Sequence, residues 1–369
     1  MKALYNILFL SSLLIVLFTG CDNSPDPDDP IEIPARSFRD ALFGGLLDEN
    51  GDPLIIDTDG NGNISYAEAE VVTYLNVAEK EITDLTGIED FINLEYLLCY
   101  DNLLSSLDLS ENKALVGLSC WGNSIGTLDF SSNPELDSLN CGYNQLSALD
   151  VSMNDSLFWL QCSQNELVAL DVSQNSSLTD LYCSVNQLTE LDVSSNSALT
   201  NLMCDSNQLT TLDVTNNTEL ELLSCGYCQI SSLDLSNNPA LSSLDCTDNQ
   251  LSTLDLSNNR GLLNLYCSNM QLSTLNISAN SKLIDLFCSH NQLSSLHIVN
   301  KQYLRHLFCG YNQISSLDIS NIFDLWILDV TEMPTLGEVC VWEIPFPPEH
   351  ILVNSRGTPN LYFTTSCSK

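Results

Sequence analysis

The sequence has little positive charge: 11 Lys and Arg stand against 48 Asp and Glu in 369 residues, a formal net charge of −37. Nucleic-acid binding requires a basic surface, so this composition argues against a nucleic-acid partner. A polybasic surface for anionic membranes is disfavoured for the same reason. Charged residues make up only 16% of the chain and hydrophobic residues 44%, so the acidity does not indicate a disordered tail.

Patterns that indicate catalysis are also missing from the sequence. No glycine-rich phosphate loop, paired-carboxylate cleft or Ser-His-Asp order stands out. His290, His297 and His306 are close in sequence but occupy different positions of the repeat described below. We therefore predict that the protein is not an enzyme.

The N-terminus reads as an export signal. The apolar run 7–18 follows Lys2 and is shorter than the ~20 residues that a membrane-spanning helix needs. It ends at Leu17-Phe18-Thr19-Gly20-Cys21, which resembles the lipobox of bacterial lipoproteins. That resemblance implies a signal peptide over residues 1–20 and a lipid anchor on Cys21. An ordinary secretory signal with a chance cysteine is the alternative.

Residues 21–35 are rich in aspartate and proline, which predicts an extended, self-repelling tether. Acidic residues directly after a lipidated cysteine also resemble a surface-export signal of some Gram-negative lipoproteins. The resemblance implies an outer-membrane or cell-surface location, while a plain spacer fits the composition equally well.

Residues 57–68 follow the EF-hand loop pattern, with alternating oxygen-bearing side chains, a glycine at the sharp turn and a closing glutamate. Hard oxygen ligands favour Ca²⁺ over a transition metal. The expected ligands are Asp57, Asp59, Asn61, the carbonyl of Asn63, Ser65 through water, and Glu68. An acidic turn without metal is the alternative.

The flanks of this loop predict a small EF-hand-like cap over residues 36–74. We expect an entering helix over 38–47 and an exiting helix over 66–72. Between them Pro53 stands where a second loop would need its turn glycine, so we predict a single calcium site. An unpaired extracellular site should bind weakly, with a Kd of about 10⁻⁴–10⁻³ M, and brace a unit too small for a large core.

Eleven cysteines recur every 21 residues, from Cys99 to Cys309, and a fixed period of this length indicates a solenoid. The unit LxxLxCxxNxLxxLDVSxN resembles a bacterial leucine-rich repeat, and Leu85-Thr86-Gly87-Ile88 resembles the first coil of internalins. The resemblance implies a leucine-rich repeat solenoid over residues 75–333.

Alternation of Leu and Cys in each unit predicts a short strand with its flanking residues in solvent on the concave side. Stacking buries the leucines between neighbouring units. With one further coil at each end, we expect a curved parallel sheet of about 13 strands and a mostly non-helical convex side. Residues 334–369 lose the pattern and are predicted to form a C-terminal cap.

Exported proteins often contain disulfides, but the spacing of the eleven repeated cysteines argues against disulfides between them. Equivalent Cβ atoms of stacked strands lie ~4.8 Å apart, whereas a disulfide needs ~3.8 Å. We expect buried, reduced ladder thiols and one disulfide, Cys340–Cys367, in the cap. The side chain of the Asn in LxCxxN should form hydrogen bonds with backbone groups of the turn. Cys228 and Met270 replace this Asn in two coils. Met270 cannot form these bonds, and we expect the neighbouring Asn269 to form them instead.

An aspartate recurs in the LDVS slot of most coils, with Asn276 and His297 in two of them. We expect each carboxylate to cap backbone N–H groups of its own turn. A calcium-binding row is the alternative.

Aromatic side chains mark the concave face. Tyr266, Phe287 and Phe308 precede the ladder cysteine in adjacent coils and should form one stripe, with Tyr182 and Tyr311 as further partner-binding residues. Such clusters indicate recognition, although cross-strand packing is an alternative. The predicted function is non-catalytic recognition or adhesion, to protein or glycan, by a lipid-anchored surface protein. The alternative is a calcium-stabilised spacer of the cell envelope.

Overall fold

The computed structural model describes residues 25–367, so the predicted signal peptide and the predicted lipid-attachment residue Cys21 lie outside the described residues. The chain winds into a solenoid whose coils contribute one strand each to a parallel sheet of 14 strands. These strands are β3 Tyr74–Asn76, β4 Tyr96–Leu98, β5 Gly117–Ser119, β6 Ser138–Asn140, β7 Trp159–Gln161, β8 Asp180–Tyr182, β9 Asn201–Met203, β10 Leu222–Ser224, β11 Ser243–Asp245, β12 Asn264–Tyr266, β13 Asp285–Phe287, β14 His306–Phe308, β16 Ile327–Asp329 and β18 Leu352–Asn354.

The sheet has one strand more than the sequence predicts. Strand β18 lies in the segment predicted as a cap and pairs with β16 in parallel, Leu328 opposite Val353. Three other segments of the last coils form a second parallel sheet: β15 Ser316–Asp318, β17 Glu338–Cys340 and β19 Tyr362–Thr364. The chain therefore keeps coiling beyond residue 334, although the repeat pattern is lost there.

The core runs the length of the solenoid. The central Leu of each strand and the ladder cysteine after it are almost fully buried, while the strand residues on either side of the Leu are mostly half-exposed. At the C-terminal end the rings of Trp342, Phe346 and Phe363 pack against the core, and the exposed Phe323 ring contacts Trp342, with successive centroids 4.8–5.7 Å apart. This cluster closes an end that would otherwise expose leucines.

Two rows of asparagine hold the coils together. In the LxCxxN row, Asn186 donates to the carbonyls of Cys162 and Cys183 at 3.1 Å each and accepts from the N–H of Leu167 at 3.0 Å. Met270 has no such bonds, and Asn269 does not replace them, because its side chain donates to the Asp248 carboxylate instead. The prediction that Asn269 forms the hydrogen bonds missing at Met270 is therefore wrong.

The second row, the convex asparagines, is the last Asn of each repeat. Its members are fully buried and each donates to two backbone carbonyls; for Asn196 these are Val172 O and Asn175 O, at 3.0 and 2.8 Å. The row comprises Asn112, Asn133, Asn154, Asn175, Asn196, Asn217, Asn238, Asn259 and Asn280. Lys301 occupies the next position, 21 residues after Asn280.

A third row adopts the left-handed backbone conformation that favours glycine or asparagine. Its members are the third residue after the end of the strand in most coils, with φ between 48 and 58° at Glu79, Asp101, Tyr143, Gln164, Val185, Ser206, Tyr227, Asp248, Asn269, His290, Tyr311 and Glu332. Val185 is the only β-branched residue in this row, and β-branched side chains suit this conformation worst.

We expect Val185→Asn to raise the free energy of unfolding by about 1 kcal/mol, because asparagine tolerates the left-handed region and valine does not. Val185 is 44% exposed, so little packing is lost. Val168→Asn is the matched control, an exposed valine that lacks a positive φ. Denaturant unfolding should separate the two; equal changes would contradict the strain argument.

The N-terminal cap is built from two short helices and a hairpin: α1 Arg36–Leu42, β1 Leu46–Leu47, β2 Pro53–Leu54 and α2 Tyr66–Glu70. The helices are shorter than predicted. Helix α1 ends at Leu42 instead of residue 47, because Gly44-Gly45 follows and Gly45 has a φ of +79°. Phe38, Ile56, Ile64 and Ala69 join the same hydrophobic core as the coils.

The described part of the predicted tether, residues 25–35, is bonded to the cap. The N–H groups of Ile31, Tyr66 and Ala67 donate to the carbonyls of Ile64, Asp29 and Pro27 at 2.8–3.1 Å. Ile31 and Ile33 are buried, and the Arg39 side chain donates to the Ile33 carbonyl at 3.2 Å through Nε. Composition predicted an extended chain, but the extended chain pairs with the cap.

Candidate functional site

The aromatic stripe forms on the exposed face of the large sheet. Tyr266, Phe287 and Phe308 lie opposite one another in register on β12, β13 and β14. Their ring centroids are 4.9 and 4.3 Å apart, and the planes of the two Phe rings differ by 13°. Three adjacent coils thus present one continuous apolar strip on an acidic protein.

The other two predicted partner-binding residues lie apart from this strip. Tyr182 is four coils from Tyr266, about 19 Å along the sheet. Its ring lies 6.0 Å from Trp159, and its hydroxyl donates to Asp180 at 3.0 Å. Burial and this bond raise the pKa of Tyr182 to about 12. Tyr311 belongs to the left-handed row and stacks on His290, at 3.9 Å between centroids.

Sequence reasoning missed a second group of residues at the edge of the same coils. Arg305 lies over the Trp326 ring, 4.7 Å from its centre, and His306 contacts the edge of that ring. The Nδ1 of His306 is 2.5 Å from the Asp285 carboxylate, between the strip and the edge. The sequence contained one indication of this contact: Arg305 and Trp326 each come directly before a strand, in adjacent coils, and therefore occupy equivalent positions.

The loop of residues 57–68, where calcium binding was predicted, is organised around two carboxylates. Asp57 accepts from the N–H groups of Gly60, Asn61 and Gly62 at 2.8–3.1 Å. Gly62 has a φ of +84°, so the predicted turn glycine is required there. Carboxylate oxygens of Asp57, Asp59 and Glu68 lie within 4.8 Å of one another. This all-oxygen donor set fits a calcium ion.

Glu68 closes the loop from the first turn of α2. One oxygen accepts from the Thr58 N–H and hydroxyl at 2.7 and 2.9 Å, and the other from the Ser65 N–H and hydroxyl at 2.9 and 3.0 Å. Burial alone would raise the pKa of Glu68, but the bonds from Ser65 and Thr58 lower it to about 2. The carboxylate is therefore ionised at neutral pH, as a calcium ligand must be.

Other predicted ligands serve the loop backbone. Asn61 accepts from the Asn63 N–H at 2.8 Å, and Ser65 forms a capping box with Glu68. The segment of Asp48, Asn50 and Asp52 forms the hairpin turn between β1 and β2, where Asp48 accepts from the other two N–H groups.

The LDVS aspartates cap their own turns. Asp171 accepts from the Ser173 N–H at 2.9 Å, and equivalent bonds recur along the row, including one to Asn276 at 3.1 Å. The bonds from Ser173 lower the pKa of Asp171. Within residues 25–367 no three carboxylates of this row come together as a metal site. Local capping therefore accounts for the row.

The ladder thiols are reduced and buried, from Cys99 to Cys309, together with Cys228. Burial raises the pKa of every ladder thiol, so none is a ready nucleophile or metal ligand. Cys228 donates weakly to the Cys204 carbonyl, in place of the missing Asn. Cys340 and Cys367 form a disulfide with Cα atoms 5.4 Å apart.

Comparison with known proteins identifies the architecture. No protein-family model and no curated protein matches the chain. Among solved structures it is similar to the functional domain of InlJ from Listeria monocytogenes, which includes a cysteine ladder: 34% identity over 80% of this chain and 65% of that domain, with a TM-score of 0.76. The chain thus spans just under two thirds of that structure.

Two further solved structures share the fold. The internalin InlF of Listeria monocytogenes is 20% identical over 91% of this chain and 96% of its own, with a TM-score of 0.71. YopM of Yersinia enterocolitica is 25% identical over 79% and 68%, with a TM-score of 0.61. The protein has an internalin-like leucine-rich repeat fold with 21-residue coils, an architecture whose extended concave surface serves protein interaction. Among residues 25–367, no helix has the length and apolar character to cross a membrane.

Proposed function

We propose that this protein is a lipid-anchored cell-surface recognition protein that binds its partner, without catalysis, through the concave face of its C-terminal coils. The observation that carries the proposal is the continuous strip of Tyr266, Phe287 and Phe308. Aromatic clusters in the middle of an exposed surface supply most of the binding energy at protein interfaces. The lipobox-like sequence ending at Cys21 supports the anchor and the surface location.

Replacing Tyr266, Phe287 and Phe308 together by serine should weaken binding of the purified protein to intact host or neighbouring cells by at least about 30-fold. A single interface hot spot contributes about 2 kcal/mol or more, which corresponds to that factor. Binding of the fluorescently labelled protein is measured by flow cytometry, and the fold is checked by circular dichroism.

The matched control carries serine at Met153, Val168 and Val299, three exposed apolar residues outside the strip. It should bind as the wild type does. If the strip variant remains folded and binds cells unchanged, the recognition proposal fails and the rings serve only to stabilise the sheet.

The second candidate is a calcium-stabilised structural protein of the cell envelope. The observation in its favour is the calcium loop, whose Ile64 is buried in the core shared by cap and coils. Asp57, Asp59 and Glu68 would hold the ion, which would neutralise their charge and brace the cap. Mutations distinguish the two candidates. Substitution of the strip residues should abolish a recognition function, whereas substitution of Glu68 should abolish a structural one.

A further inference from the structure

The charge of the chain reverses in the coils that carry the aromatic strip. Residues 256–317 contain four cations, Arg260, Lys282, Lys301 and Arg305, and one acid, Asp285, in a chain with a net charge of −37. Residues 114–259 contain no Lys or Arg at all. The two coils whose LDVS slot lacks aspartate, with Asn276 and His297, lie within the same stretch.

Two of these cations, Lys282 and Arg305, line an apolar groove, whereas Lys301 is buried. The groove has a volume of about 340 Å³ and is lined by Leu263, Ile284, Tyr303, Lys282, Arg305 and Asp324. The single acid of the stretch, Asp285, is engaged with His306. Arg305 and Lys282 therefore face solvent next to aliphatic side chains, while most of the molecule repels anions.

We infer that this surface, the groove together with the adjacent strip, binds an acidic and apolar segment of a protein. Carboxylates of the partner would pair with Lys282 and Arg305, and an aliphatic or aromatic side chain would enter between Leu263 and Ile284. This rests on the proposed function and specifies its partner. Complementary charge sets the choice of partner and the rate of encounter, while the apolar contacts supply affinity.

The ring geometry favours a protein over a glycan. A sugar ring stacks on an open aromatic face, but here at least one face of each of these rings is already covered by a neighbour. Phe287 and Phe308 stack on each other, His290 covers Tyr311, and Arg305 covers Trp326. The area left for a partner is therefore a mixture of ring edges, outer ring faces and the aliphatic groove, which suits protein side chains better than a sugar ring.

The length of the charged stretch limits the partner to a short segment. The strands at residues 264, 285 and 306 span about 10 Å across the sheet. The strands on both sides carry an acid level with the strip, because Asp245 lies opposite Tyr266 and Asp329 opposite Phe308. A long polyanion running along the solenoid would meet that acidic surface, whereas a peptide crossing three coils would not.

The test is a selection of random 12-residue peptides by display against the purified mature protein at low salt. The selected peptides should contain more Asp and Glu, and fewer Lys and Arg, than the starting library, together with Leu, Phe or Trp. A synthetic selected peptide should bind at least tenfold more weakly to Lys282→Glu/Arg305→Glu. Added salt should weaken binding as well.

The control variant Lys80→Glu/Arg356→Glu makes the same change in net charge at two exposed cations elsewhere. It should leave the peptide affinity within twofold. Selection of peptides without acidic enrichment, failure to select any, or equal affinity for the charge-reversed variant would each overturn the inference. So would binding of uronic-acid oligosaccharides that depends on Lys282 and Arg305 when no peptide is selected.

This outcome can be told apart from failure of the proposed function. If Lys282→Glu/Arg305→Glu binds intact cells normally while the strip variant does not, the recognition face is correct and the acidic partner is wrong. If neither variant changes cell binding, the proposed function itself fails.

Discussion

Replacing Lys301 by asparagine should raise the free energy of unfolding by about 3 kcal/mol. Lys301 is fully buried, its Nζ has no hydrogen-bond partner among the described residues, and burial lowers its pKa. An unpaired buried polar group costs about 1–3 kcal/mol. Asparagine would also restore the two bonds of the convex row, to the carbonyls of Ile277 and Asn280, at about 1 kcal/mol each.

Lys301→Met separates these contributions, because it removes the amine without supplying the bonds. We expect it to recover part of the gain, and Lys301→Asn the rest, as measured by urea unfolding at neutral pH. If the Lys301→Asn protein is less stable than the wild type, the prediction is wrong. The coil is then adapted to the long lysine side chain, and the convex row ends at Asn280.

The same lysine makes stability depend on pH in a defined direction. Its pKa is lowered in the folded protein from the ordinary 10.5, so the unfolded chain binds more protons between the two values. Stability therefore rises with pH across that interval and carries the full penalty below it. The gain from Lys301→Asn should shrink as the pH approaches 10.5. Comparing the two proteins at each pH cancels the titration of the thiols.

Removing calcium, or replacing Glu68 by glutamine, should release the N-terminal segment from the cap. The Glu68 carboxylate binds Ser65, and the neighbours Ile64, Tyr66 and Ala67 hold that segment through backbone bonds. We expect Glu68→Gln to weaken calcium binding by roughly 100-fold, since even groups behind a ligand contribute 10–100-fold. By linkage, deleting residues 25–31 should weaken calcium binding too.

Calorimetry measures the calcium affinity, and hydrogen exchange measures protection of the Ile31 and Ala67 amides. Calcium should increase that protection in the wild type and in Glu70→Gln, an exposed change of the same charge on the same helix. Protection that is identical with calcium and with a chelator would contradict the coupling. It would leave the loop as a folded turn that needs no ion.

Repetition made most of the fold predictable from the sequence. Eleven copies of one spacing specify which residues face inward, and the strand register follows directly, as with Phe287 opposite Phe308. The strip could be predicted because it lies on that register. The last coils could not, because Leu352 and Val353 pair with β16 without any repeat signal.

The features that were missed depend on contacts between distant segments. Residues 27–33 have the composition of a free chain, and only their backbone bonds to residues 64–67, including one isolated bridge between Pro30 and Ser65, hold them against the cap. Gly44-Gly45 shortened a helix whose apolar spacing continued to residue 47. The groove needs residues from coils 21 and 42 positions apart, such as Leu263, Ile284 and Arg305, and their shared position became evident only when the coils were stacked.

If the protein is anchored through Cys21 as proposed, docking of the N-terminal segment would limit its distance from the membrane. With Pro27 already bonded to Ala67, only five residues lie between it and the proposed lipid on Cys21. The six steps from Cys21 to Pro27 span at most about 20 Å in a fully extended chain. The solenoid would then lie close to the lipid headgroups while the segment is docked. Release of the segment would lengthen the connection to the lipid by several residues and let the solenoid move farther from the membrane.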